Sequence, residues 1–123
     1  MTKSSKPRVL LVSALATLMS VTVAAPVIAA EGASVADEGK AIAFNRKKGS
    51  CVTCHMMDDG ASPGNLGPPL IAMKARYPDK AKLRAQIYDA TVANPDSTMV
   101  PFGRHKVLTD AEIDKVVEYV WTL

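Results

Sequence analysis

Cysteine, histidine and aromatic rings are all scarce in this chain. Its 123 residues include two cysteines, two histidines, one Trp, three Tyr and two Phe. Two cysteines cannot build a disulfide framework, and a bridge between Cys51 and Cys54 would be strained and stabilise little. A structural zinc site wants four ligands, usually from a second C-x-x-C or an H-x(3–5)-H pair. The chain has no other cysteine and its only other histidine is His105, so a zinc site is short of ligands. No β-branched runs flank the cysteines, which removes the βαβ setting of a thioredoxin-like redox pair. Repeats, low-complexity tracts and any sign of a second domain are also missing.

What is present is concentrated in Cys51-Val52-Thr53-Cys54-His55. Two cysteines three apart can each add across a vinyl group of one porphyrin, and a histidine directly after the second then lies under the iron. C-x-x-C-H is the attachment signature of c-type haem, and histidine is a usual axial ligand. One covalent haem c also answers the shortage of core. A domain this small normally needs a staple, and the porphyrin supplies both apolar bulk and a cross-link.

The first thirty residues read as an address. Lys3, Lys6 and Arg8 form a basic start, Val9 to Ala25 is apolar, and Ala29-Ala30 offers a small-residue cleavage site. The apolar run falls short of the roughly 20 residues of a spanning helix, which disfavours an uncleaved anchor. Residues 1–30 are therefore expected to be a cleaved secretory signal peptide, removed after Ala29 or Ala30. Residues 31–123 are expected to be an exported monohaem cytochrome c domain without stable membrane insertion. Three cations leave with the signal, so fifteen basic residues become twelve, equal to the twelve acidic ones. The sequence pI near 9.0 thus belongs mostly to the signal, and nucleic-acid binding has no support. Charge is nonetheless uneven: nine basic and three acidic residues lie between Lys40 and Arg84, three basic and six acidic ones beyond. Such a dipole can orient a docking partner.

The apolar spacing predicts an all-α chain. A first helix runs from Ser34, its cap, to about Lys48, with Gly49 ending it in left-handed geometry. Turn signals fill 58–69. A middle helix covers about 79–93, stopped by Asn94-Pro95, and a loop follows to Val107. The last helix opens with a Thr109/Glu112 capping box and carries Ile113, Val116, Val117, Val120 and Leu123 as an apolar stripe.

For the second axial position the candidates are Met73, Met99 and His105, since Met56 and Met57 adjoin His55 and cannot reach the opposite haem face. Met73 also fits plain core, and His105 lies between Arg104 and Lys106 as a surface imidazole would. Met99 lies in a loop with no apolar period, stiffened by Pro101 and Phe102, and is the preferred ligand. Its sulfur would raise the potential. Metal ligands are thus expected at His55 and Met99, with no catalytic residue.

The chain resembles SoxX, the monohaem subunit of the sulfur-oxidation cytochrome complex. The matching stretches are Lys48 to His55, Pro63-Gly64-Asn65-Leu66-Gly67-Pro68-Pro69-Leu70, Tyr88-Asp89-Ala90, Asn94-Pro95, Met99-Val100-Pro101-Phe102-Gly103-Arg104-His105 and Glu118-Tyr119-Val120. Val100 departs from the family, which usually has proline there. The resemblance implies a small class I cytochrome c-like domain wrapped around one covalent haem. It also implies that the Pro68 carbonyl receives the His55 ring N–H and that Leu70 packs on the haem edge. Family membership further implies a heterodimer with a SoxA-type cytochrome subunit, in a complex that oxidatively couples thiosulfate to the SoxYZ carrier cysteine. This chain would be its electron-accepting rather than catalytic subunit, passing electrons to a downstream acceptor. The alternative is a free-standing periplasmic cytochrome serving a terminal oxidase.

Overall fold

The computed structural model describes residues 33–123; the expected signal peptide lies outside them. All regular structure among the described residues is helical. α1 spans Val35–Phe44, α2 Met73–Arg76, α3 Lys80–Tyr88 and α4 Asp110–Val120, with 3-10 turns at Cys51–Thr53 and Ala90–Val92. No described helix is long and apolar enough to cross a membrane.

α1 and α4 cross at the centre of the fold, and Gly39 makes the crossing possible. A Cβ there would lie 2.0 Å from the Lys115 carbonyl oxygen and 3.0 Å from Tyr119 Cβ. Nearby, the Phe44 and Tyr119 rings meet edge to face at 6.2 Å, a favoured aromatic geometry. Met57, Met73, Ile113 and Val116 are the largest fully buried side chains. Each contributes about 1.5–3 kcal/mol by leaving water. Capping boxes open both α1, from Ser34 and Asp37, and α4, from Thr109 and Glu112, satisfying amides that would otherwise lack partners.

Two helices are shorter than their apolar spacing suggests, for the same reason. α1 stops at Phe44 because the Asn45 side chain accepts from Lys47 N at 2.9 Å and its carbonyl from Lys48 and Ser50. Gly49 has no left-handed backbone; Ser50 does, at φ 50°. The glycine is instead needed for space, since a Cβ would meet the Ile42 carbonyl oxygen at 2.7 Å. The middle helix breaks at Asp89, whose carboxylate accepts from Thr91 N at 3.0 Å and Thr91 Oγ1 at 2.6 Å. Short polar side chains here outcompete the helix for the backbone.

The charge asymmetry of the sequence folds back on itself. Lys48 pairs with Glu112, Lys80 with Glu118, and Arg84 with both Asp110 and Asp114. Four of the six acidic residues beyond Arg84 are thus matched by cations from the basic half, which weakens the expected dipole.

Candidate haem site

The chain enters the C-x-x-C-H segment through left-handed Ser50, then winds one 3-10 turn. Thr53 N donates to the Ser50 carbonyl at 3.0 Å, and Cys54 N and His55 N both donate to that of Cys51, at 3.1 and 2.9 Å. In a 3-10 turn, side chains three apart eclipse, so this winding puts Cys51 and Cys54 on one side. Both line the same cleft, with no disulfide between them. Burial pushes the Cys51 thiol up to about 11.

The loop from Gly67 to Leu70 is laced beneath the histidine. Gly67 N donates to the Cys54 carbonyl at 2.9 Å, Leu70 N to that of Met56 at 2.8 Å, and His55 Nδ1 lies 2.7 Å from the Pro68 carbonyl oxygen. A carbonyl can only accept, so Nδ1 carries the proton and Nε2 keeps its lone pair for a metal. Gly67 is pressed against the imidazole face. A Cβ there would lie 2.3 Å from Cε1 and 2.6 Å from Nδ1.

A cleft of about 560 Å³ opens in front of this segment and is lined by Cys51, Cys54, His55, Pro68, Leu70 and Met99. Every residue expected at the site from sequence therefore reaches one cavity. Met99 is half-buried, its amide donating to Ser97 Oγ at 3.3 Å. Met73 also lines the cleft but is 1 % exposed, its sulfur accepting from Arg76 Nη1 at 3.5 Å. His105 is exposed and lies outside the lining.

These residues suit a c-type haem. Eclipsed cysteines, an imidazole Nε2 and a thioether share one cavity, to which α3 adds the apolar side chains of Leu83 and Ile87 and α4 those of Val116 and Val120. The volume is that of a cofactor pocket. Among the described residues no three His, Cys, Asp or Glu side chains cluster to hold a bare metal ion. The sequence marks Val116 and Val120 only as part of an apolar stripe. Helical period reports which face is covered and says nothing about whether protein or porphyrin covers it.

The cytochrome c family profile matches residues 36–123. A chain of the crystal structure of SoxXA from P. pantotrophus is similar in fold, with TM-score 0.63 and 25% identity, covering 70% of this chain and 79% of that one. This similarity agrees with the SoxX-like motifs of the sequence. An uncharacterized lipoprotein of Aquifex aeolicus (strain VF5) is 37% identical over 75 residues, 60% of this chain. The match spans only 36% of that relative's length.

Proposed function

Since the chain belongs to the cytochrome c family, with Cys51, Cys54 and His55 holding one covalent haem c, we propose that it is a dedicated electron carrier with His55 and Met99 as axial ligands. Bound in this cleft, haem c supplies a reversible one-electron couple. The protein's share is to hold, orient and insulate it. Cys51 and Cys54 tether the porphyrin edge, the Pro68 carbonyl keeps the imidazole turned with Nε2 outward, and the Met99 thioether favours reduced iron. Leu70 and the apolar α3 and α4 residues exclude water from the edge they face.

The single observation carrying this reading is that the His55 imidazole and the Met99 side chain line one cleft with both cysteines, which the proposed tether would consume. Neither a free thiol nor an open iron position remains for substrate, so transfer of electrons is the chemistry left. The likeness to a SoxXA chain supports the fuller proposal: a SoxX-type subunit paired with a larger SoxA-type haem protein. There, thiosulfate would be joined oxidatively to the SoxYZ carrier cysteine, and this chain would accept the electrons released and hand them on. A relative named as a lipoprotein supports export, and the periplasm is the proposed compartment.

Two measurements test this. Met99→Ala should abolish the methionine–iron charge-transfer band of the oxidised protein and lower its potential; an unchanged spectrum refutes the ligation. Purification from periplasm should bring down a larger cytochrome in stable complex. Recovery as a lone monohaem protein would favour the shuttle to an oxidase instead.

A further inference from the structure

Asp89 is the one charged side chain buried among the described residues, at 8 % exposure. Buried carboxylates are rare unless paired, and Asp89 is paired on both oxygens, once with the segment that follows Met99. One oxygen accepts from Thr91 N and Oγ1, and the other meets Arg104 Nε at 3.1 Å. Arg104 belongs to the segment that follows Met99, so the pair ties the end of α3 to that loop. A second tie lies beside it: Gly103 N donates to the Tyr88 carbonyl at 3.0 Å, and a Cβ at Gly103 would lie 2.0 Å from Tyr88 Cδ2. Backbone bonds close the loop above these ties, from His105 N to the Pro101 carbonyl and from Val107 and Leu108 N to that of Phe102. Pro101 and Phe102 are buried. Met99's own amide, by contrast, has only the Ser97 hydroxyl. The support of Met99 therefore comes from the far side of Pro101.

We propose that Asp89 and Arg104 are positioning residues that clamp the Met99 loop against α3 and so limit release of the sixth ligand. This rests on the ligation by Met99 proposed above. The break of α3 at Asp89 then has a purpose: a continuous helix would carry the carboxylate's acceptor oxygens away from both Thr91 N and Arg104. Hydrogen bonding from Thr91, followed by the Arg104 charge, holds the carboxyl below its ordinary range, so the clamp is charged at neutral pH.

Imidazole titration of the oxidised holoprotein reads the clamp, because imidazole binds iron only where the methionine has let go. Arg104 is 53% exposed, so Arg104→Gln leaves folding intact. It is expected to raise imidazole affinity about tenfold, the size of a modest coupling between sites. Arg104→Lys should recover most of the difference. Adding Asp89→Asn to Arg104→Gln should change little beyond the single variant, as for two halves of one interaction. Lys115→Gln breaks an ion pair with Glu38 on the α1–α4 side and should leave affinity unchanged. Equal imidazole affinity in Arg104→Gln and the parent, or an equal rise in Lys115→Gln, overturns the clamp. A Met99→Ala protein with an unaltered spectrum overturns the ligation and the clamp together; loss of its band with no response at Arg104 overturns the clamp alone.

Discussion

Replacing Gly67 by alanine tests how tightly the histidine is seated. The added methyl would lie 2.3 Å from His55 Cε1 and 2.8 Å from Nε2, about 1 Å inside ordinary van der Waals contact. Neither side can yield easily. Gly67 N is bonded to the Cys54 carbonyl, and the imidazole is held by its neighbour Cys54 and by the Pro68 carbonyl at 2.7 Å. A ring shift of about 1 Å exceeds the tolerance of that hydrogen bond, which adds its loss of about 1 kcal/mol to an overpacking cost of roughly 1–3 kcal/mol. At 4–8 °C per kcal/mol for a domain this size, the thermal midpoint should fall by roughly 10–30 °C. Soret-band circular dichroism of the haem-loaded protein on heating measures it, with the reduction potential recorded alongside. A fully matured Gly67→Ala protein melting within about 3 °C of the parent would refute this account of the seat.

Thr109→Ala removes the hydroxyl end of the α4 capping box at a cost of about 1 kcal/mol; calorimetry should record a midpoint lower by about 4–8 °C. Acid should weaken the fold partly through Glu112. A hydrogen bond from Lys48, reinforced by the Thr109 amide, holds its carboxyl down to about 2, from 4.5. A carboxyl depressed on folding stabilises above its unfolded value, and this is lost as pH falls from 4.5 toward 2. Glu112→Gln should therefore lose less urea resistance between pH 5 and pH 3 than the parent, and an equal loss would contradict the assignment.

Legibility varied with the range of the interaction. The tether and its histidine could be read because five consecutive residues carry the chemistry. The α4 start was equally plain, since Thr109 and Glu112 are local to one turn. The last helical turns assigned to α1 and α3 failed where Asn45 and Asp89 diverted backbone bonds to themselves, which apolar spacing cannot register. Asp37 closes a box with Ser34 that the usual pattern, with Glu or Gln at that position, does not flag. The Asp89–Arg104 pair stayed hidden because its members lie fifteen positions apart, on either side of a loop whose return path is set by packing. The apparent charge dipole weakened for a similar reason: linear order ignores which helices come to lie side by side.

α4 is also a shared beam. Its Lys115 backbone and Tyr119 side chain press on Gly39, while Val116 and Val120, one position further along, form part of the cofactor's wall. Anything that pries the first helix away must therefore move the surface on which the porphyrin rests. A side chain added in the buried α1–α4 crossing, outside the cleft, can thus register as a change in colour.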